Sequence, residues 1–105
     1  GFAQRDYARV FTDYQAAGYK EPYAAYGAYS YDAANAIINA LKTSLASASD
    51  AKSARQATID AMSKVSFDGA TGKVAFDQYG DTTTKVLTVY KVDGGKWVAE
   101  KTGSG

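Results

Sequence analysis

The hydrophobic pattern of this chain changes its period once, close to Ser66, and this change constrains the fold more than any other feature. Before Ser66 the apolar residues recur every three to four positions, which is typical of amphipathic helices. After Ser66 apolar and polar residues alternate, which is typical of strands. The sequence therefore predicts an α+β chain in which three helices are followed by a small antiparallel sheet.

Three helices are predicted before the change of period. The first spans residues 2–17, and the second spans residues 23–45 and is rich in alanine. Gly27 lies inside the second helix, where a glycine costs roughly 1 kcal/mol relative to alanine. It indicates either a later start of this helix or a close approach of another part of the backbone. The third helix spans residues 50–65 and begins at Asp50, which is a good N-cap.

Three strands are predicted after the change of period, over residues 73–76, 85–92 and 96–100. Asp93, Gly94 and Gly95 form the turn between the last two. Both faces of the middle strand are partly apolar, so we expect it to be covered on both sides. Residues 101–105 are polar and are expected to form a flexible tail, so residues 1–100 form the single folded unit.

The inventory of side chains excludes most catalytic chemistry. The 105 residues include no cysteine, so the chain has no disulfide and no thiol nucleophile. They also include no histidine, which is the commonest general base in enzymes. Twelve basic side chains face eleven acidic ones, which gives a formal net charge of +1. Such a balance gives no reason to expect a nucleic-acid partner. We therefore predict a protein that is not an enzyme and that carries no cofactor.

Two motifs that suggest ligand chemistry are better interpreted as turns. The segment 68–73 (DGATGK) resembles a phosphate-binding loop, but two residues separate its glycines and Val74 follows the lysine. The phosphate loop requires four residues and then a serine or threonine. Asp68, Asp77 and Asp81 lack the order of an EF-hand calcium loop. We predict turns supported by glycine and aspartate at both places, and no metal site.

Tyrosine is the one residue type that is used unusually often. The chain has nine tyrosines, and seven of them precede residue 32. A tyrosine buries a large ring while its hydroxyl remains available to a partner. The cluster is therefore compatible with core packing, with the wall of a ligand pocket, or with a protein interface.

Three segments together resemble a known family. They are residues 26–33 (YGAYSYDA), 65–81 (VSFDGATGKVAFDQYGD) and 89–98 (VYKVDGGKWV). In order and spacing they resemble the C-terminal segment of branched-chain amino-acid (Leu/Ile/Val-type) substrate-binding proteins of ABC transporters. The resemblance covers nearly all of this chain but only roughly the last third of a family member.

The resemblance implies a fragment of a bilobal α/β periplasmic-binding-protein fold that closes on an amino acid outside the cytoplasmic membrane. It implies an ABC permease as the partner, and a location in the bacterial periplasm or on the cell surface as a lipoprotein. It also implies that the segment just before Tyr31-Asp32-Ala33 contacts the ligand in the intact receptor, at Tyr26, Ala28 or Tyr29. The segments that grip the amino and carboxylate groups of the ligand lie outside this chain, so the fragment alone is expected to bind poorly or not at all.

Two further expectations concern the isolated chain. A piece of a larger receptor exposes apolar surface and sheet edges, so we expect it to self-associate or to exchange an element between copies. The alternative is a free-standing small α+β module that contacts a protein or peptide through its tyrosine-rich surface.

Overall fold

The computed structural model describes residues 2–104, with side chains from residue 7 onward. Three helices precede four strands. The helices are α1 (Phe2–Ala17), α2 (Gly27–Ser47) and α3 (Ala51–Met62), and the strands are β1 (Ser66–Gly69), β2 (Gly72–Ala75), β3 (Val86–Asp93) and β4 (Lys96–Ser104). The strands form two separate antiparallel pairs, β1 with β2 and β3 with β4, and not one sheet. The predicted α+β class is confirmed.

The core is small and lies between α2, α3 and the β1–β2 pair. Its buried members are Ala36, Ala40, Ala61 and Val65, and the partly buried Met62, Phe67, Val74 and Phe76 pack against them. Because three of the four buried residues are alanines, α2 and α3 approach each other closely. The hydroxyl groups of Ser44 and Thr58 form a hydrogen bond of 2.8 Å across this contact, which satisfies a serine that is only 1% exposed.

The third helix begins as the sequence predicts. The Asp50 carboxylate accepts a hydrogen bond of 2.7 Å from the Ser53 backbone N–H, and the Ser53 hydroxyl oxygen accepts one of 3.2 Å from the Asp50 N–H. These two bonds form a capping box. The bond from the Ser53 N–H also lowers the pKa of the Asp50 carboxyl group below its ordinary value. The helix ends at Met62, three residues earlier than expected.

The second helix begins at Gly27, and the predicted start at residue 23 is wrong. The ring of Tyr23 lies against Gly27, where a Cβ atom would collide with it. The same ring packs against Phe11 and Tyr14 of α1, with centroid distances of 5.2 and 5.4 Å. Tyr23 is therefore an anchor between α1 and α2, and it precedes the first residue of α2.

Among the described residues, no helix has the length and apolar character needed to cross a bilayer.

The strand predictions need three corrections. Residues 66–69 form a strand, β1, that the sequence did not predict. Residues 101–104 continue β4 and do not form a flexible tail, because Thr102 pairs with Thr88 in the ladder and their hydroxyls form a hydrogen bond of 2.9 Å. The predicted cover on both faces of β3 is also wrong, since β3 is exposed along its length apart from the half-buried Thr88. Gly1 and Gly105, at the ends of the predicted unit and tail, lie outside the described residues.

A Tyr23→Phe substitution tests the anchor. The Tyr23 hydroxyl is buried and has no hydrogen-bond partner, so its removal relieves a desolvation penalty. We expect the free energy of unfolding to rise by up to about 1 kcal/mol in urea denaturation. Tyr14→Phe is the matched control, because the Tyr14 hydroxyl donates a hydrogen bond of 2.8 Å to the Glu21 carbonyl oxygen. This control should be destabilised, and a Tyr23→Phe variant that loses as much stability would contradict the assignment.

The pH dependence of stability provides a second readout for Tyr23. Burial, and then the neighbouring Tyr7, raise the pKa of Tyr23 above its ordinary value of 10.0. The unfolded chain therefore releases this proton first as the pH rises. The stability contributed by the protonated tyrosine is complete below pH 10.0 and is lost above it. We expect the stability difference between wild type and Tyr23→Phe to widen above that pH.

Candidate ligand cleft at the start of α2

A buried carboxylate joins α2 to the turn between β1 and β2. Asp32 is only 3% exposed. Its two carboxylate oxygens accept hydrogen bonds from the backbone N–H groups of Ala70 and Thr71, both at 2.8 Å, and from the Thr71 hydroxyl at 2.5 Å. The charge is thus buried with three donors around it, which is the condition under which a buried carboxylate is tolerated.

Two glycines make this contact possible. A Cβ atom on Gly69 would lie 2.5 Å from an oxygen of Asp32, so only glycine allows the carboxylate to come this close. Gly72 has a φ of +112°, which glycine adopts without strain. The prediction of a glycine-supported turn between short strands is confirmed. The turn wraps around a carboxylate of its own chain, which explains its superficial likeness to an anion-binding loop.

The second predicted turn is also present. The Asp77 carboxylate accepts hydrogen bonds from the Tyr79 N–H at 2.9 Å and from the Asp81 N–H at 3.1 Å. The bond from Tyr79, more than any other contact, lowers the pKa of Asp77 below its ordinary value. Within the described part of the chain, no three acidic side chains are grouped closely enough to hold a metal ion.

A cleft of about 420 Å³ lies beside the Asp32 contact, between the start of α2, β2 and the beginning of β3. Its volume falls within the range of small-molecule sites. Its lining residues include aromatic ones, several threonines and one lysine, among them Tyr29, Lys73, Phe76, Thr82, Thr84 and Thr88. The Thr84 hydroxyl donates a hydrogen bond of 2.8 Å to the Lys73 carbonyl oxygen, which fixes the segment before β3 against β2.

The polarity of this cleft favours an anionic group. Lys73 supplies its positive charge, and Asp32 is the acidic residue in its lining. The Asp32 oxygens are already occupied by the three donors of the turn, so they have little capacity left for a ligand. The ammonium group of Lys73 and the threonine hydroxyls are hydrogen-bond donors of the kind that bind a carboxylate. Val74 and Phe76 also line the cleft, where they pack against the core.

A second pocket on the other side of Asp32 is less suitable. It measures about 230 Å³, below the usual size of a small-molecule site. Arg9 lines it, but its guanidinium group lies 3.6 Å from the Asp13 carboxylate one helical turn away. Of the two pockets beside Asp32, the cleft of about 420 Å³ is therefore the candidate site.

The three residues predicted to meet a ligand occupy different environments. Tyr29 lines the cleft and is 63% exposed. Tyr26 caps the start of α2 and is 79% exposed, outside the cleft lining. Ala28 is 1% exposed, so its side chain packs in the interior and presents no surface.

Sequence reasoning missed Lys73 and the threonines of the cleft. The run Thr82-Thr83-Thr84 is visible in the sequence, but it matches no phosphate or metal motif. Thr82 and Thr84 reach the cleft because hydrogen bonds hold this segment against β2. The Thr83 N–H donates to the Ala75 carbonyl oxygen at 3.0 Å, and Thr84 bonds to Lys73.

Comparison with known proteins identifies one family. The family model described as the receptor family ligand binding region matches residues 3–95. The match includes the first two of the three segments on which the resemblance rested, and most of the third. No curated protein and no solved structure gave a significant match.

Asp32→Asn and Gly69→Ala test the contact that forms the cleft wall. The amide places an NH₂ group against N–H donors, and the alanine forces the carboxylate away from the turn. We expect either variant to lose about 2–4 kcal/mol of unfolding free energy in urea denaturation. Asp68→Asn is the matched control, because Asp68 is exposed and lies beside the same turn. Equal losses in Asp32→Asn and Asp68→Asn would contradict a structural role specific to Asp32.

Proposed function

The chain belongs to the receptor family of ligand-binding regions, and we propose that it supplies one wall of a solute-binding receptor. The family is non-enzymatic, and its members are extracellular or periplasmic ligand-binding domains. In our proposal the intact receptor is periplasmic or lipid-anchored at a bacterial surface. It delivers branched-chain or related amino acids to an ABC permease.

The composition of the cleft beside Tyr29 is the observation that supports this proposal most. An amino acid of this class has a carboxylate at one end and an apolar side chain at the other. The Lys73 ammonium group and the hydroxyls of Thr82 and Thr84 suit the carboxylate. Val74 and Phe76 suit the apolar end.

The tyrosines have separate roles in this proposal. The exposed ring of Tyr29 closes one side of the cleft over the ligand. Tyr26 stands one helical turn earlier and contacts the ligand only after the rest of the receptor has closed. Ala28 contributes by being small, since it lets the first turn of α2 pack into the interior.

This cleft is a partial site. Small-molecule sites bury about 70–90% of the ligand surface. Here the strand that forms one side, β3, is exposed along almost its whole length. We therefore propose that the chain alone binds in the millimolar range, and that affinity comes from the second lobe of the receptor.

A protein-interaction module is the second candidate function. Tyr19, Tyr26 and Tyr29 are 63%, 79% and 63% exposed, which is unusual for large aromatic side chains. Tyrosine is enriched in protein interfaces. The length of the parent reading frame separates the two candidates, because a frame that continues well upstream of Gly1 favours the receptor.

A titration with L-leucine followed by amide NMR tests the ligand cleft. We expect weak binding in fast exchange, with the largest shifts at Thr71, Lys73 and Thr84. Lys73→Met should abolish these shifts because it removes the positive charge while keeping the aliphatic stem. Lys52→Met on α3 is the matched control and should bind as wild type does. Isoamylamine, which is leucine without its carboxylate, should give no shifts in the cleft.

Two results would overturn the proposal. Shifts that are absent from the cleft, or that persist in Lys73→Met, would show that this cleft does not take the carboxylate. Micromolar binding of leucine by calorimetry would show that the site is complete within this chain.

A further inference from the structure

The β3–β4 hairpin projects from the rest of the molecule. The two strands contact each other and almost nothing else. The radius of gyration is 17.0 Å, whereas a compact domain of this length has about 13 Å. The hairpin thus lacks the packing that normally stabilises a pair of strands.

The two faces of the hairpin differ sharply in charge. One face, here called the uncharged face, carries the cross-strand pairs Val92–Trp97, Tyr90–Ala99 and Thr88–Thr102. The opposite face, here called the charged face, carries Lys91, Asp93, Lys96 and Lys101, with Glu100 lying 3.5 Å from Lys91. It also carries the apolar residues Leu87, Val89 and Val98. On the uncharged face Val92, Trp97 and Tyr90 are 62%, 76% and 55% exposed.

A two-stranded hairpin with an apolar face needs more strands to be stable. Isolated hairpins are marginal in water, and three or more strands are needed for independent stability. Within residues 2–104, the outer edges of β3 and β4 pair with no other strand. Such edges are templates for pairing with another chain.

We propose that two copies of this chain pair antiparallel along β4, about a two-fold axis at Val98, to form one four-stranded sheet. In this register Lys96 of each copy lies opposite Glu100 of the other. Trp97 lies opposite Ala99 of the second copy, so a large side chain faces a small one. Both complementary pairs occur twice, as a two-fold axis requires.

The neighbouring registers of β4 lose the charge complementarity. A shift by two residues towards the turn places Trp97 opposite Trp97 and Lys96 opposite Val98, so neither ion pair forms. A shift by one residue places Lys96 opposite Lys101, and it joins the uncharged face of one copy to the charged face of the other. A shift by two residues away from the turn places Trp97 opposite Lys101. Lys101 lies on the charged face because the register between β3 and β4 shifts between Val89 and Tyr90, where Glu100 has no partner residue on β3. The Trp97 ring would then lie opposite a lysine.

The edge of β3 is a poorer candidate for self-pairing. Its charges, Lys91 and Asp93, both lie at one end of the strand. A register that pairs them leaves residues 86–89 of each copy without a partner strand. Charge complementarity therefore selects β4.

The inferred sheet also extends the uncharged face. This face becomes continuous across four strands, with Trp97 beside Ala99 of the second copy. The existing pair between Lys91 and Glu100 is half exposed, so it contributes little and leaves Glu100 available to a second lysine.

Charge reversal on β4 tests the register. Sedimentation equilibrium should show a reversible dimer of the wild-type chain. Lys96→Glu and Glu100→Lys should each weaken it by about tenfold or more, because like charges then meet twice. The double variant should restore wild-type affinity. Lys101→Glu is the matched control for Lys96→Glu, since it makes the same change in net charge but faces Gly95 of the second copy.

The rescue by the double variant cannot come from within one chain. Inside the hairpin Lys96 pairs with Asp93, and Glu100 with Lys91, so the double variant keeps two unfavourable internal contacts. Circular dichroism confirms that each variant is folded. A strict monomer at high concentration, equal weakening by Lys101→Glu, or no recovery in the double variant would each overturn the proposal.

Discussion

The hydrogen bonds of the Asp32 carboxylate to the β1–β2 turn are the contact on which the rest of the structure depends. They join residues 38 and 39 positions apart and hold the first half of α2 against the small sheet. The orientation of Tyr29 follows from the placement of this helix. The position of Lys73 follows from the placement of the turn. Without this contact the two sides of the cleft would have no fixed relation to each other.

A buried carboxylate is stable here because of its donors and not because of a counter-ion. Two backbone N–H groups and one hydroxyl group surround it. The contact also disfavours an apolar residue at position 32, since such a residue would leave the N–H groups of the turn buried and unpaired. Such unpaired groups cost more than a single hydrogen bond contributes. The small alanine-based core between α2 and α3 could not compensate for that loss by itself.

The periodicity of the sequence was sufficient to predict the order of the elements, and the bounds of α1 agree with the structure. It was not sufficient for β1, because a four-residue strand with one large apolar side chain, Phe67, is too short to establish a period. It also missed the end of β4, where the polar pairing of Thr88 with Thr102 replaces apolar packing. The hydrogen bonds between Asp32 and the turn could not be predicted, because no local sequence pattern connects residues so far apart. The site residue Lys73 became visible only once that link had placed it.

The cleft and the inferred pairing surface lie on different strands of the same hairpin. Val86 and Thr88 line the cleft at the base of β3. The proposed two-fold axis lies near the tip, at Val98, which pairs with Lys91. Thr88 and Lys91 are three positions apart along β3, or about 10 Å. The second copy would contact the outer edge of β4, which contributes no residue to the cleft lining, so charge reversals at Lys96 and Glu100 should not change the response of the cleft to leucine. A change in that response would mean that the hairpin transmits its pairing state to β3.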